Sequence, residues 1–209
     1  MYSPPYNRIE NRVELLAFMR ANSFALLVTG AGGELHASHL PVLAEERDAK
    51  LVLVMHMAKA NPQWQQFYEG EMSDEVMVVF WGPHAYVSPR WYEQKQRVPT
   101  WNYAAVHAYG KVKVVDGREE KYAAQAKLVR HHDLAWESDF KNLSPGYLDD
   151  MLDGIVNFDI EVTRLETRWK LSQNRGRREQ ELIIAELEKS PDTAERALAA
   201  LTRKHLAPE

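Results

Sequence analysis

The residue types best suited to chemistry in this sequence gather in a few short stretches. In "MHMAKANPQW", Lys59, Asn61 and Gln63 directly follow an apolar run. Backbone amides, a lysine and two carboxamides thus converge where an anion could bind. The plainer account is that Asn61 caps a helix whose first position is Pro62. In "RWKLSQNR", Trp169, Lys170, Ser172, Gln173 and Asn174 make a polar, cationic cluster at a strand end, or else an exposed loop. In "VPTWNYAAVHAYG", a proline fixes the backbone ahead of Thr100, Trp101, Asn102 and Tyr103. Large rings beside amide and hydroxyl groups suit a flat heteroaromatic ligand that needs stacking and edge hydrogen bonds. Core or subunit-interface packing would use the same composition. The concentration itself is clear, since Trp81 to Gly110 holds seven of the 21 Phe, Trp and Tyr residues.

Other chemistries find less support. The eight histidines include no HExxH pair, and the adjacent His131 and His132 cannot readily face one metal from a helix, so no metal site is expected. There is no GxSxG turn for a serine nucleophile, and Ser88 precedes a proline. "GAGG" lacks both the lysine of a P-loop and the spacing of a dinucleotide fingerprint, and reads as a hairpin turn. Zero cysteines exclude disulfides and thiolate chemistry. The formal charge of −4 leaves no overall basic footprint for nucleic acid, and the clusters "QNRGRR" and "RKH" read as solvated faces. "MYSPPYNRIENR" lacks the apolar core of an export signal, and no apolar run approaches the roughly 20 residues that span a bilayer. The expectation is a soluble, cytoplasmic protein.

The elements that would position these residues are mostly strands. Asn11 is placed to cap a helix over "RVELLAFMRAN". "SFALLVT", "ELHASHLPVL", "LVLVMHM", "DEVMVVFWG", "AVHAYGKVKVVD" and "IVNFDIEVTRLE" read as strands. In the second, Leu35, Ala37 and His39 are the expected buried set. In the last, Val156, Phe158, Ile160 and Val162 alternate with Asn157, Asp159, Glu161 and Thr163. A helix is expected over 118–136, Ser144 and Ser190 each precede a proline in the manner of a helix start, and the tail is helical. About six strands with short connections favour antiparallel pairing. The expected fold class is mainly β (α+β): a small antiparallel barrel or sandwich with peripheral helices, whose mouth would be a natural ligand site.

"GPHAYVSPRWY" followed by "VPTWNYAAVHAYG", together with "ASHLPVL", "HMAKANPQW" and "RWKLSQNR", resembles the PaiB family of FMN-binding negative transcriptional regulators. The resemblance runs from "MYSPPYN" to about Asn174. It implies an antiparallel split β-barrel of the flavin-reductase type, a homodimer, and FMN at the dimer interface. The division it suggests is an FMN-binding domain over 1–174 and a C-terminal helical segment over 175–209. On the phosphate side it implies Ser38, His39, Lys59 and Asn61. On the ring side it implies Ser88, Trp91, Tyr92, Thr100, Trp101, Asn102, Lys170, Ser172, Gln173 and Asn174. Arg90 stands where that family usually has a small serine. The family name implies a regulator, yet no helix-turn-helix is readable, and the mixed charge of 175–206 speaks against direct DNA binding. A flavin-dependent oxidoreductase or flavin reductase is the alternative. A haem-binding split barrel, with His39 or His107 as axial ligand, is a weaker one.

Overall fold

The computed structural model describes residues 1–209 apart from 32–33, 70–74, 95 and 208–209. Six strands appear among the described residues: β1 (Phe24–Ala31), β2 (Glu34–Arg47), β3 (Lys50–Ala58), β4 (Val76–Val87), β5 (Thr100–Val115) and β6 (Ile155–Lys170). They close into a barrel in the order β1-β2-β3-β6-β5-β4. The helices are α1 (Arg12–Ala21), α2 (Gln66–Glu69), α3 (Arg118–His132), α4 (Glu137–Lys141), α5 (Pro145–Asp153), α6 (Arg177–Leu187) and α7 (Thr193–Lys204). The chain divides into two compact units, one of Leu16–Phe80 with His107–Leu165, the other of Met1–Leu15, Trp81–Val106 and Glu166–Glu209.

The first unit carries the hairpins. β1 pairs antiparallel with β2 from Phe24↔Pro41 to Ala31↔Glu34, across Gly32 and Gly33 of the expected turn, which lie outside the described residues. β2 meets β3 from Val42↔Met55 to Arg47↔Lys50. Both residues of that second turn, Asp48 and Ala49, have positive φ (50° and 62°). Such a pair matches the right-handed twist of the flanking strands. Leu27, Val42, Leu53, Met55, Met57, Phe158 and Ile160 form the interior of this unit, none more than 1% exposed. Gly110 is required by close approach, because a Cβ there would lie 2.3 Å from the Glu161 carbonyl oxygen.

Period-two patterning misplaced two sets of side chains here. Leu35 is 79% exposed, and Ala37 and His39 also face solvent. The opposite phase of β2 carries Ser38 toward the turn after β3, where its Oγ accepts from Asn61. In β6, Asn157 sits on the polar phase yet is only 1% exposed. The cause is α3, whose Leu128 and Ala124 pack on Leu43, Val52 and Val54 and so cover the outer face of the sheet. β3 is accordingly buried on both faces from Leu51 to Met55.

The second unit is built on the ends of three strands and the C-terminal hairpin. Trp169, Leu171, Ile183, Leu187, Leu198 and Ala199 are fully buried in it. Gln180, also fully buried, donates to the Leu171 carbonyl (2.9 Å) and accepts from the Ala207 amide (2.8 Å). Asn11 caps α1 as expected, accepting from Glu14 N at 3.0 Å. For α7 the cap is Asp192, which accepts from Ala194 N at 2.7 Å, rather than the Ser190–Pro191 pair. Ser144 precedes α5 without a side-chain cap. The helix read over 118–136 ends at His132, where Asp133 starts a separate turn over Leu134–Trp136.

Candidate functional site

Two sets of residues carry the chemistry, one in each unit. In the Leu16–Phe80 unit, β3 ends at Ala58 and a single 3-10 turn follows over Pro62–Gln65. Asn61 caps it, accepting from Gln63 N at 3.0 Å, while its Nδ2 donates to Ser38 Oγ at 2.9 Å. Gln63, 2% exposed, donates to Thr29 Oγ1 (3.1 Å), the His36 carbonyl (3.3 Å) and the Leu27 carbonyl (3.4 Å). Ser38, Asn61 and Gln63 therefore hold one another, and the capping account of Asn61 is correct as far as its oxygen is concerned. His39, the next residue along β2, faces the other way and stacks on Phe24 (5.8 Å, 25°). It does not join Ser38 and Asn61 in one cluster. Lys59 is fixed by its backbone, donating to the Gly154 carbonyl (2.8 Å) and accepting from Trp64 Nε1 (2.9 Å). Its exposed ammonium has no partner among the described residues.

In the other unit the polar residues turn inward and the rings outward. Alternation along β5 buries Asn102 completely and leaves Trp101 55% exposed. Asn102 pairs its amide with the Ser172 hydroxyl at 2.9 and 3.2 Å. Ser172 holds a left-handed backbone (φ 61°, ψ 29°), which bends the chain out of β6. Gln173 completes the bend, accepting from Leu171 N (2.8 Å) and donating to the Trp169 carbonyl (2.6 Å). Lys170 donates to Thr100 Oγ1 and to the Trp101 carbonyl (2.7 Å). Burial lowers its pKa, helped by the like charges of Arg168 and Arg175. Ser88 caps the turn at Pro89–Trp91, its Oγ accepting from Arg90 N at 3.3 Å. Arg90 also donates through Nε to the same oxygen (3.3 Å), so its side chain folds back on the turn. Tyr92 is 3% exposed, and Arg175 lies over its ring at 5.3 Å. Burial raises its pKa, against the opposing pull of the Arg175 charge. Trp91 is partly buried and Asn174 exposed.

Three residues outside the expected set join Trp101. Tyr86 meets it edge-on (6.1 Å, 73°), His84 lies tilted beside it (6.2 Å, 34°), and Trp81 meets His84 edge-on (5.6 Å, 66°). Trp81 is 64% and Tyr86 43% exposed, so these four rings make an open aromatic strip. Strict alternation hides them. β4 buries Val76, Val78, Phe80 and Gly82, then Ala85 and Val87, a change of phase of the kind a bulge produces. The one signal in the sequence was the density of rings.

This chemistry fits a flavin nucleotide. The strip offers the flat, ring-accepting surface that isoalloxazine needs, with a held cation at Lys170, and Lys59 offers an uncommitted cation suited to a phosphate. Among solved structures, the chain resembles the FAD and heme binding protein from Mycobacterium smegmatis (TM-score 0.61, 12% identity, covering 78% of this chain and 72% of that one). It likewise resembles the flavocytochrome Anf3 from Azotobacter vinelandii (TM-score 0.60, 10% identity, covering 77% and 68%). At these identities the likeness is one of fold, the split barrel. In sequence, the Bacillus subtilis protein "Protease synthase and sporulation protein PAI 2" is 36% identical over 211 residues, 99% of this chain and 98% of that one. The family described as "Putative FMN-binding domain" matches residues 1–164. The chain therefore belongs to the FMN-binding domain family, PaiB type, and FMN is the cofactor that this membership assigns to it.

Proposed function

We propose that this protein is an FMN-binding negative regulator of the PaiB type, working as a homodimer, in which flavin binding or flavin chemistry rather than direct DNA recognition carries the signal. The observation that supports flavin binding best is the open strip of Trp81, His84, Tyr86 and Trp101. A water-exposed aromatic surface of this kind gains from being covered by a flat ring. In this reading Trp101 and Trp91 flank the ring, Lys170 stands near its pyrimidine side, and Lys59 meets the phosphate. Ser38, Asn61, Ser88, Tyr92, Thr100, Asn102, Ser172 and Gln173 are the frame that sets these groups in place, and His39 and Asn174 contribute from exposed positions. Bound FMN supplies one- and two-electron redox chemistry, and a cation beside it favours the reduced, anionic ring. The formal charge of −4 favours an indirect regulatory route, since counterion release needs basic surface.

Titrating the purified chain with FMN, while following flavin absorbance and fluorescence, tests the first part. Saturable binding with quenched flavin fluorescence is the expected result. Sedimentation should give a dimer at micromolar concentration. Mobility shifts with DNA should be weak, salt-sensitive and indifferent to sequence. A nanomolar complex with one promoter fragment at physiological salt would replace indirect regulation with direct repression.

A further inference from the structure

Many cations of this protein are held by carboxylates: Arg47 by Glu45 and Asp159, Arg130 by Glu137, Arg178 by Glu93 and Lys204 by Glu14. Four partly buried cations of the second unit are not. Arg97, Arg168, Lys170 and Arg175 form no ion pair with a carboxylate among the described residues. They are gathered rather than scattered. Arg168 and Arg175 both lie close enough to Lys170 to depress its pKa, after the effect of burial itself. Arg175 sits over the Tyr92 ring at 5.3 Å, and Arg97 is within electrostatic reach of the same tyrosine. Glu179 also reaches Tyr92, but it is buried and accepts from the Glu93 amide (3.4 Å). One carboxylate among these cations leaves a surplus of positive charge. Like charges that are partly stripped of water lower stability unless an anion joins them, and such departures from the local rules mark functional sites.

The charged ends remain within a ligand's reach. Lys170 meets the Trp101 carbonyl (2.7 Å), and Arg168 the Tyr2 carbonyl (2.7 Å), both at exposed positions. The first contact puts the cluster at the border of the aromatic strip. Arg168 commits one terminal nitrogen, and the guanidinium of Arg175 forms no hydrogen bond among the described residues. Arg168 also lies over the rings of Tyr2 (5.3 Å) and Tyr103 (5.5 Å). A guanidinium stacked on a ring keeps its N–H edge for an acceptor in its own plane. An oxidised flavin ring is uncharged and does not neutralise these groups. A carboxylate brings one charge and two oxygens in a plane. A phosphate monoester brings nearly two charges and three acceptor oxygens, which suits donors supplied by separate side chains.

We propose that Arg168 and Arg175, with Lys170 beside both, bind the phosphate of a small phosphate monoester, a ligand distinct from FMN that sits next to the flavin ring. This rests on the reading that the ring lies on the Trp101 strip and that Lys59 meets the FMN phosphate.

The test titrates the full chain, saturated with FMN, with phenyl phosphate, and with benzoate as the singly charged planar comparison. Phenyl phosphate should bind saturably and at least tenfold more tightly than benzoate. Arg175→Gln and Arg168→Gln should each lose at least tenfold in phenyl phosphate affinity, with FMN and riboflavin affinities unchanged. Arg175→Gln decides the matter if Arg168→Gln, which releases Tyr2, fails to fold. Arg178→Gln removes a cation that Glu93 already holds, and should leave probe affinity as it was. Benzoate binding as tightly, probe affinity surviving in Arg175→Gln, or an equal loss in Arg178→Gln would each overturn the proposal. Loss of FMN but not riboflavin affinity in Arg175→Gln would show that the phosphate of FMN itself lies here, which overturns both this site and the role of Lys59. Loss of both flavins alike would make the cluster part of the ring site, and would overturn the second ligand alone.

Discussion

The segment around Trp101 and the turn around Lys59 prepare for a ligand in opposite ways. Near Trp101 the polar groups are spent internally, Asn102 on Ser172, Lys170 on Thr100 and Gln173 on the chain itself, and what remains open is apolar ring. Near Lys59 the carboxamides are engaged within the chain as well, Asn61 donating to Ser38 and Gln63 to Thr29, but what remains open is a charge. The first surface gains by excluding water, the second by meeting an anion that water would otherwise screen. In both, the residues that look most like ligands by type are held by hydrogen bonds within the chain, and the proposed binding group is the neighbour that they leave uncommitted.

Substitutions can break this contrast, beginning with two tryptophans of opposite fate. Trp169 is fully buried, so Trp169→Ala should cost about 3–5 kcal/mol of stability, read by urea or thermal unfolding. Trp101→Ala should stay within about 0.5 kcal/mol of the parent in the same assay, because an exposed ring is removed. An equal loss for both would mean that Trp101 is packing rather than binding surface.

Ligand binding should reverse that order. Trp101→Ala should weaken FMN and riboflavin alike by about 1–3 kcal/mol, the scale of a lost ring-stacking contact. Lys59→Ala should weaken FMN by about 1 kcal/mol, at the low end because the ammonium is solvent-exposed, and leave riboflavin unchanged. Calorimetric titration of both ligands against both variants measures this. Equal losses of FMN and riboflavin in Lys59→Ala would remove the phosphate assignment.

The smallest expected effect is on pH dependence. His56 is harder to protonate folded than unfolded, because burial disfavours the imidazolium. Above its ordinary value of 6.5 both states are neutral, and the residue leaves stability unchanged. As pH falls below that value the unfolded chain takes up the proton first, so stability declines until the folded-state value is reached. His56→Gln should flatten this part of the stability–pH curve, and an unchanged slope would show that His56 protonates without cost.

Much of the frame was legible because it follows local rules. The positions of Asn11 and Asn61 alone imply caps, and both accept the corresponding hydrogen bonds. The six strands follow from alternation and turn residues, and the hairpin registers follow from turn length. Where local rules failed, a distant element had intervened. Leu35, Ala37 and His39 face outward, while the opposite phase of β2 carries Ser38 toward the turn after β3, where its Oγ accepts from Asn61. Tyr86 and His84 emerge beside Trp101 because β4 changes phase between Gly82 and Ala85. At α7, Asp192 took the capping role from Ser190 because it lies directly before the first helical residue.

By itself the sequence determined the class of fold, the family and the density of rings, since these depend on residue type, spacing and near-neighbour chemistry. Which rings stay in water, which carboxamides are scaffold, and which polar atom is left unmatched were decided only by tertiary structure. Asn157 illustrates the reason. Its period-two position predicts a solvated amide, and only the packing of α3 over the β3–β6 face removes the water that would have satisfied it.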